Sequence, residues 1–545
     1  MKITFVAIGC EQIAVSQLSA IAKHHGHQTA LAFSASLFND RYNLSFPALA
    51  PYFDDRQEVI NAIKTQQPDV LTFSVLTGTY QWMLGIAAEA KSIFPNIKTI
   101  FGGVHVSAVP ERVLANPCVD YVVVGEGDVC FPLILKAIED GGPTAAIPNT
   151  RFKSKDGHVV CGPQTGFIQD LDSLPIYDKP LWEEHIRIGD LYLTMASRGC
   201  PYRCTFCFNN FFANLPEGKK GKYVRQRSIE HMLTELRWAK KRYKIRCIDF
   251  EDDVFTVNKK WIKEFLGLYK KEIALPFQCL THPKYIDAEV ATWLYEAGCR
   301  YVQLGVQTMD DDFKYTSIKR YEKSDHVQQA LDVMNQAKLR VKCDHMFGLP
   351  GEPVDAQESA LKLYLNHTPH RIQTFWTNFL PGTEMVGQAL SMGIITPQDV
   401  EKLNDGLNFD FFRTNTNVQS KEDTRKYKAY ELFFKLIPVM PHWLSQRLKV
   451  RHFMKIPIRL GNMISFLVDA GFGLINRNPA HTAYAQHNLY HLSRFFTRKL
   501  KVSISPATIL RENIPHPKVF TALSSNDPSS PLNENTVIVE TLAKT

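Results

Sequence analysis

Short apolar runs alternate with stretches of helical periodicity in two separate blocks of this chain, and this alternation constrains the fold more than any other feature. In residues 1–142 the candidate strands are ITFVAIG, TALAF, VLTFSVL, TIFGG and YVVVGEG. Between them lie segments with the spacing of amphipathic helices, such as IAVSQLSAIAKHHGH and QWMLGIAAEAKSIF. This alternation predicts an α/β domain, in which a parallel sheet has helices on both faces. Ligands of such sheets bind at the carboxyl ends of the strands.

The alternation returns in residues 191–390, where helical patterns separate a second set of strand candidates. They are LYLTMAS, CIDFEDD, PFQCLTH, YVQLGVQ, VKCDHMFG and IQTFWTNF. Such β-α units in series predict a partial or full barrel of the TIM type. We interpret residues 143–190 as a linker that contains a hairpin, with Asp156 and Gly157 at its turn.

The remainder of the chain differs from both blocks. Residues 391–500 are predicted to be mainly helical, and residues 501–545 are rich in Ser, Asn and Pro, which predicts a disordered tail. The sequence lacks an apolar run of about 18 to 20 residues, the length that a membrane-spanning helix needs. The start, MKITFVAIGCEQ, has the pattern of a strand and not that of a signal peptide. We therefore expect a cytoplasmic protein of several domains.

Three of the eleven cysteines, Cys200, Cys204 and Cys207, lie close together in the segment SRGCPYRCTFCFNN. A structural zinc site takes four ligands, usually as two C-x2-C pairs, and no second pair lies nearby in the sequence. Three cysteines can instead hold three irons of a four-iron cluster and leave the fourth iron open to a ligand. The alternatives are a chance cluster or an incomplete zinc site.

The C-x3-C-x2-C spacing resembles that of the radical S-adenosylmethionine (SAM) enzymes, in which three cysteines ligate a [4Fe-4S] cluster. Further elements resemble motifs of that family in the same order. They are Phe206 before the last cysteine, FEDD at Phe250–Asp253, GVQT at Gly305–Thr308, GLPGE at Gly348–Glu352 and PGT at Pro381–Thr383. The resemblance covers about residues 190–390 and implies that Phe206, Glu251, Gln307 and Gly348 contact SAM. Many relatives have Glu where this chain has Gln307.

The resemblance implies a chemistry as well as a fold. In the family, the open iron binds SAM, and reductive cleavage gives methionine and a 5′-deoxyadenosyl radical. Cys200, Cys204 and Cys207 match the metal ligands of this catalytic site one for one. The electron for the cleavage would come from an external donor such as flavodoxin or ferredoxin.

Residues 1–142 resemble the Rossmann-like cobalamin-binding domain that precedes the radical domain in one branch of the superfamily. The residues that carry this resemblance and the implied cobalamin contacts are Ser74, Leu76, Gly102, Gly103 and Glu126. In the family, the S-x-L and G-G elements border the pocket for the nucleotide tail, where glycine lets the backbone come close to the ligand. The alternative is a domain of the same fold that no longer binds cobalamin.

The loop after the first strand departs from the cobalamin domains that resemble methionine synthase, in which D-x-H-x-x-G supplies a histidine ligand to cobalt. Here the loop, Gly9–Ala14, contains no histidine. The radical enzymes of this branch commonly lack it too, which implies a lower cobalt face that is unligated or is contacted by water or another residue. His24, His25 and His27 come late in a helix and its turn, where a surface role near the helix C-terminus is favoured over ligation.

Positive charge is concentrated in the C-terminal region. The whole chain has a net charge of +8, whereas residues 421–501 hold 15 Lys/Arg and 4 Asp/Glu, a net of +11. In residues 436–475, apolar and aromatic side chains interleave with the basic ones. This pattern fits a helical cap over the barrel mouth, and it also fits peripheral contact with the inner face of an anionic membrane. Nucleic acid is disfavoured because no nucleic-acid-binding motif accompanies the charge.

The sequence therefore predicts a cobalamin-dependent radical SAM enzyme with three parts: a cobalamin-binding domain, a partial (β/α)6 TIM-type barrel and a mainly helical C-terminal region. The favoured activity is methylation of an unactivated carbon of a small-molecule or lipid substrate, with methylcobalamin as methyl donor. A cyclisation or rearrangement that uses cobalamin without methyl transfer is the alternative among enzymes. A cobalamin or iron–sulfur sensor without turnover is the alternative of another class.

Overall fold

The computed structural model describes residues 1–39, 46, 48–143, 145–154, 156–407, 421–475 and 478–499. These residues contain a seven-stranded sheet, a six-stranded sheet and a two-stranded ribbon, with helices packed on the sheets. The segment predicted to be a disordered tail, residues 501–545, lies outside the described part of the chain.

The first sheet has the strand order β2-β1-β3-β4-β5-β6-β7. Its strands are β1 (Lys2–Ile8), β2 (Gln28–Ser34), β3 (Val70–Ser74), β4 (Lys98–Gly102), β5 (Tyr121–Val123), β6 (Thr150–Lys153) and β7 (Val159–Cys161). Strands β1 to β5 are parallel, as predicted. The antiparallel hairpin β6–β7 is also present as predicted, but it pairs with β5 and extends the sheet, although the sequence places it in the linker.

Helices cover both faces of this sheet. They are α1 (Ile13–His24), α2 (Arg56–Gln66), α3 (Tyr80–Ile93), α4 (Val104–Ala108), α5 (Pro110–Leu114) and α6 (Cys130–Glu139). On one face Phe5 packs against Phe131 of α6, with 6.0 Å between ring centroids. On the other face Phe73 and Phe101, from neighbouring strands, stack at 4.4 Å. The nearly continuous apolar runs of these strands are explained by burial on both faces.

The second sheet has six parallel strands in chain order. They are β8 (Tyr192–Thr194), β11 (Ile248–Phe250), β12 (Phe277–Thr281), β13 (Cys299–Gln307), β14 (Arg340–Phe347) and β15 (Arg371–Trp376). The ribbon consists of β9 (Ser197–Arg198) and β10 (Arg225–Gln226). Since β8 and β15 do not pair within the described residues, the second sheet is a partial barrel, open on one side.

The helices of the barrel follow its strands. They are α7 (Phe208–Asn214), α8 (Ile229–Arg242), α9 (Lys259–Glu272), α10 (Ala288–Ala297), α11 (Asp311–Thr316), α12 (Ser324–Gln336), α13 (Gln357–Asn366) and α14 (Glu384–Ser391). Ser228, Asn258 and Asp287 precede α8, α9 and α10, and each side chain accepts a hydrogen bond from a backbone N–H of the first turn. These caps satisfy groups that a helix leaves unpaired, and they explain where the helices begin.

The connection between the two sheets is packed between them. Trp182 is fully buried, and its indole N–H donates to the hydroxyl of Ser16 in α1 (2.8 Å). Lys179 is also buried and forms an ion pair with Glu11. Lys179 Nζ also donates to the carbonyl of Leu193 in β8, so this buried, paired charge connects the first domain to the barrel.

The C-terminal region is helical where it is described, as predicted. Its helices are α15 (Pro397–Asn404), α16 (Lys421–Leu436), α17 (His442–Arg447), α18 (Val450–Phe453), α19 (Ile458–Ile475) and α20 (Pro479–Lys499). Helix α16 lies beside the last two strands, where Phe434 stacks on Phe347 of β14 (5.8 Å) and Tyr427 packs against Trp376 of β15 (5.7 Å). It therefore covers an edge of the open barrel. A search of the described helices for one long and apolar enough to cross a membrane finds none.

Candidate active site

The three clustered cysteines lie in the loop between β9 and α7. Gly199, directly before Cys200, has φ +88°, and a Cβ at this position would collide with the carbonyl oxygen of Tyr223. Cys207 is the N-cap of α7, and its Sγ accepts a hydrogen bond from the backbone N–H of Asn209 (3.4 Å). The backbone conformation of the loop thus depends on a glycine at one end and a helix cap at the other.

Neighbouring segments hold the middle of this loop. The backbone N–H of Thr205 donates to the carbonyl of Ile318 (3.2 Å), and its carbonyl accepts from the N–H of Met385 (3.0 Å). The guanidinium of Arg320 lies beside Cys204, with 4.0 Å between Nη1 and Sγ. A cation at this distance favours a thiolate. No sequence motif points to Arg320, because it follows Cys204 by 116 residues.

The donor set of this loop fits an iron–sulfur cluster. Among the described residues, no group of three or more His, Cys, Asp or Glu is close enough together to hold a single metal ion. A four-iron cluster takes each cysteine on a different iron and needs no such convergence. Burial raises the pKa of the Cys200 and Cys207 thiols to about 12, so their ionisation requires the positive charge of bound iron.

The residues predicted to contact SAM lie at the ends of neighbouring strands and in the cysteine loop. Glu251 follows β11 and is exposed, Gln307 ends β13 with φ +66°, and Gly348 follows β14 with φ +76°. Phe206 is half-buried and packs with an apolar cluster that includes Leu349. Since the strands are parallel, their carboxyl ends form one edge. The structure therefore brings these residues together, and their contact with SAM stays a prediction.

Two buried carboxyl groups support this edge; both lie within the FEDD and GLPGE motifs, but the sequence assigns neither of them a role. Asp252 accepts hydrogen bonds from the backbone N–H of Ala196 (2.9 Å) and the hydroxyl of Ser197 (2.5 Å). These bonds join the end of β11 to the segment that leads into the cysteine loop. Burial raises the pKa of Asp252 to about 6.

Glu352, the last residue of GLPGE, is the second buried carboxyl group. It accepts hydrogen bonds from the Thr308 hydroxyl, next to β13, and from Gln357 Nε2 (2.9 Å). Gln357 also bonds the ring of His345 in β14, with 2.6 Å between Oε1 and Nε2. Burial raises the pKa of Glu352 to about 8, so this carboxyl is mostly protonated at neutral pH. The network joins the ends of β13 and β14.

The predicted cobalamin residues lie at the carboxyl edge of the first sheet. Ser74 ends β3, Gly102 ends β4, and these two residues are register partners. Gly103 has φ +100°, and a Cβ there would lie 2.7 Å from the backbone nitrogen of Val75. Leu76 is exposed beside them. The S-x-L and G-G elements therefore form one narrow cradle made largely of backbone, which fits close approach of a bulky ligand.

Histidines lie at two edges of this sheet. His24 ends α1, and His25 and His27 follow it at the amino edge, opposite the cradle. The predicted surface position is wrong for His27, which is buried with its Nδ1 3.4 Å from the amino group of Met1. His105, two residues after Gly103, is buried against the ring of Tyr80 at 4.4 Å. Burial lowers the pKa of His105 to about 4, so its imidazole is neutral at pH 7. An unligated lower face of cobalt stays a prediction.

Two arginines and two carboxylates connect the first sheet to the cysteine loop. Arg198 in β9 and Arg225 in β10 lie opposite each other on the ribbon. Arg225 forms two hydrogen bonds with Glu126 (both 2.8 Å), and Arg198 forms two with Asp128 (2.7 and 3.1 Å). We name these four residues the interdomain salt-bridge network. Paired arginines on adjacent strands would repel, so the carboxylates stabilise the ribbon.

The network gives Glu126 a partner that the sequence does not indicate. Both of its carboxylate oxygens accept hydrogen bonds from Arg225. The predicted contact of Glu126 with cobalamin stays a prediction. Arg198 is separated from Cys200 only by Gly199. The loop after β5 is therefore attached directly to the segment that enters the cysteine loop.

Two family models match the chain. The B12 binding domain matches residues 10–135, and the Radical SAM superfamily matches residues 195–363. These ranges contain the cradle of the first sheet and the cysteine loop of the second. The chain belongs to the cobalamin-binding radical SAM enzymes. The cofactors of this enzyme are therefore cobalamin, a [4Fe-4S] cluster and SAM.

Individual relatives agree with the family. The uncharacterized methyltransferase PH0819 of Pyrococcus horikoshii is 26% identical over 399 residues, which is 71% of this chain and 83% of that protein. A similar solved structure is that of the radical SAM methyltransferase TsrM from Kitasatospora setae, with tryptophan substrate and a SAM analogue bound. Its TM-score is 0.56 at 17% identity, and the match covers 70% of this chain and 75% of the TsrM chain.

A second solved structure covers more of this radical SAM enzyme. The cobalamin-dependent SAM radical enzyme OxsB, with aqua-cobalamin and SAM bound, has a TM-score of 0.60 at 13% identity, and the match covers 92% of this chain and 80% of that one. At these identities the two solved structures show a shared fold. Together with the family models, the relatives support a member of the cobalamin-dependent radical SAM methyltransferase family.

Proposed function

We propose that this radical SAM enzyme transfers a methyl group to an unactivated carbon of a small-molecule or lipid substrate. The observation that carries the proposal is the interdomain salt-bridge network, because it attaches a loop at the cradle edge to the segment that enters the cysteine loop. A substrate between the two edges would be within reach of both cofactors. The cluster with SAM supplies a hydrogen-abstracting 5′-deoxyadenosyl radical, and cobalamin carries the methyl group.

The residues of the chain have positioning roles in this proposal. Cys200, Cys204 and Cys207 hold the cluster, and Glu251 accepts hydrogen bonds from the SAM amino group. Gly103 keeps the G-G and S-x-L backbone segments of the cobalamin cradle in close contact, because a Cβ there would collide with the backbone of Val75. Holding the reacting groups in one geometry lowers the entropic part of the barrier.

A second role of the chain is to exclude water from the reacting groups. Phe347, at the end of β14, is fully buried against Phe434 of α16 and Trp376 of β15. These rings form an apolar wall on the β15 side of the open barrel. Exclusion of water protects reactive intermediates from side reactions.

We also propose that an external one-electron donor of the flavodoxin or ferredoxin type binds near the cysteine loop. Lys219, Lys220 and Lys222 are exposed in the segment between α7 and β10, next to that loop. A cluster of exposed lysines attracts an acidic protein and increases its association rate. Dependence of the reduction rate on ionic strength would test this contact.

The experiment that tests methyl transfer is isotope transfer from SAM. The full chain, reconstituted anaerobically with iron, sulfide and cobalamin, is incubated with methyl-deuterated SAM, a reductant and a metabolite and lipid extract of its source cells. We expect 5′-deoxyadenosine and a product that carries the labelled methyl group. The Cys204→Ala variant is the matched control and should give neither.

Two other results would contradict the proposal in different ways. Formation of 5′-deoxyadenosine with a product of unchanged carbon number would favour a cyclisation or rearrangement. A fully reconstituted protein that does not cleave SAM under any condition would favour a cobalamin-binding protein without turnover.

A further inference from the structure

The C-terminal region contains a long segment in which all formal charge is positive. Residues 437–468 include five Lys or Arg and no Asp or Glu. All five basic side chains are exposed: Arg447, Lys449, Arg451, Lys455 and Arg459. The arginines of the interdomain salt-bridge network differ, because each of them faces a carboxylate. Exposed charge of one sign attracts a surface of the opposite sign.

Helix α19 begins in this segment, and its part up to residue 468 is apolar on two faces. One face packs on α16, where a Cβ at Gly461 would lie 3.6 Å from Leu432 Cδ2. The opposite face exposes Leu460 (43%), Met463 (53%) and Leu467 (58%). Their spacing of three and then four residues places them in one line along the helix. A surface helix of a globular domain normally has polar residues on this side.

The exposed apolar surface continues onto two other segments of the chain. The ring of Phe466 in α19 lies 5.9 Å from that of Phe46, which belongs to the first domain. Near Phe46, Tyr52 is exposed, and Phe53 contacts the ring of Phe496 in α20 at 6.3 Å. We name residues 437–468, together with these adjoining aromatic residues, the basic apolar face.

We propose that the basic apolar face binds this enzyme to the surface of an anionic lipid bilayer. In this arrangement the line of α19 side chains enters the headgroup region, and Lys and Arg pair with lipid phosphates. Trp443, exposed in α17 with the Arg447 guanidinium 5.8 Å from its ring, is of a residue type that is enriched at the membrane interface. The binding is peripheral, since no described helix has the length and apolarity to span a bilayer.

The charge of the face distinguishes a bilayer from another copy of the chain. Two copies that met through this face would bring ten positive charges together with no acidic residue from either 437–468 segment, and like charges at an interface oppose association. The inference goes beyond the proposed methyl transfer and is independent of it. It places the enzyme at the membrane, where poorly water-soluble substrates are found.

Vesicle flotation tests the proposal with the full chain and no turnover. Wild-type protein should float with vesicles that contain phosphatidylglycerol and should remain below those made of phosphatidylcholine alone. Raising the salt concentration from about 0.1 M to about 1 M shortens the screening length from ~10 Å to ~3 Å and should release the protein. Met463→Gln/Leu467→Gln and Lys455→Gln/Arg459→Gln should each lower the bound fraction roughly tenfold.

Matched controls carry the same substitutions at exposed positions elsewhere. Leu133→Gln/Met392→Gln and Lys260→Gln/Arg300→Gln should float like wild type. Iron content and thermal melting show whether each variant is folded. Flotation of the face variants at the wild-type level, or no flotation of the wild type at low salt, would overturn the proposal. A third outcome would also overturn the proposal: the wild type does not bind vesicles but self-associates as its concentration rises, and only the Met463/Leu467 variant loses this self-association. The face would then be assigned to contact with a second copy of the chain.

Discussion

The two cofactor edges of this enzyme are made from different kinds of chemical groups. The cradle of the first sheet is mostly backbone, and its key position, Gly103, works because it has no side chain. The edge of the barrel presents ionisable side chains, among them three thiols and the Arg320 guanidinium. A large ligand such as cobalamin is recognised by close backbone approach, whereas an iron cluster needs anionic ligands. Cobalamin binding is therefore expected to be weakened when a side chain is added at Gly103, and cluster binding is expected to be lost when a cysteine thiol is removed.

The largest expected effect is at the barrel edge. Replacement of Cys200, Cys204 or Cys207 by Ala should remove most cluster iron and all SAM cleavage, because no other thiol of the loop can substitute. Cobalamin binding should be unchanged. Iron analysis, 5′-deoxyadenosine assays and cobalamin spectra measure these outcomes. Cys118→Ala is the control, since this half-buried cysteine lies in the first domain. A triple variant that keeps a full four-iron cluster would refute the ligand assignment.

The opposite pattern is expected at the cradle. Gly103→Ala puts a Cβ 2.7 Å from the Val75 nitrogen in a backbone conformation with φ +100°. Strain at such a position is about 1 to 3 kcal/mol, and its relief requires the Gly103 and Val75 segments to move apart. This distortion of the cradle should lower cobalamin affinity by roughly tenfold or more while cluster content stays normal. Spectroscopic titration with cobalamin measures the affinity. Gly267→Ala is the control, because it meets nothing within 4 Å. Equal affinities of the two variants would mean that the cradle does not hold the cofactor.

A smaller effect is expected where the two domains meet. Arg225→Gln leaves Glu126 without its bidentate partner and should lower the melting temperature by several degrees. Adding Glu126→Gln should restore part of this loss, because the double variant no longer contains a carboxylate whose remaining cation, Arg198, is 3.6 Å away and already paired with Asp128. Differential scanning calorimetry of the wild type, the two single variants and the double variant measures the coupling energy between Arg225 and Glu126. Additive losses would indicate that the pair contributes nothing specific to the interface.

A pH dependence, small over any one pH unit, should come from the barrel. The pKa of Glu352 is raised by burial from 4.5 to about 8, so the folded protein holds this proton more tightly than the unfolded chain. The contribution of this proton to the free energy of unfolding is full below about pH 4.5 and is lost as pH rises through about 8. The slope is at most roughly 1.4 kcal/mol per pH unit. Glu352→Gln should flatten the melting temperature over this range, and the exposed control Glu264→Gln should not. If the melting temperature of Glu352→Gln depends on pH as strongly as that of the wild type, another ionisable group is responsible for the pH dependence.

The sequence predicts local features of both domains well. Apolar runs buried on two faces mark the parallel strands of both sheets, and the Asp156–Gly157 turn marks the hairpin β6–β7. The chemistry of the three cysteines can be predicted from the sequence, because thiols at this spacing suit an iron–sulfur cluster better than a four-ligand zinc site. The cradle is harder to identify, since glycine is common in turns and its close contact with Val75 depends on the neighbouring strand.

Contacts between distant parts of the chain are what the sequence does not reveal. The ion pair of Glu126 is one such contact, because its partner Arg225 lies 99 residues later. Lys179 lies in a segment interpreted as a linker, and its burial against Glu11 depends on how the domains pack. The helical prediction for the C-terminal region is correct, yet no periodicity indicates that α16 lies along β15. These arrangements result from tertiary packing and from pairing of buried charges.

The opposed arginines of the ribbon affect whether the two domains can be separated, either in an expressed fragment or by recombination in evolution. Arg198 and Arg225 are tolerated on adjacent strands because Glu126 and Asp128 come from the other domain. A barrel expressed alone would keep two repelling charges next to Gly199, at the entrance to the cysteine loop. Recombination that gave the barrel a foreign partner domain would have to bring a matching pair of acids. The two halves are thus expected to be transplanted between proteins as one unit.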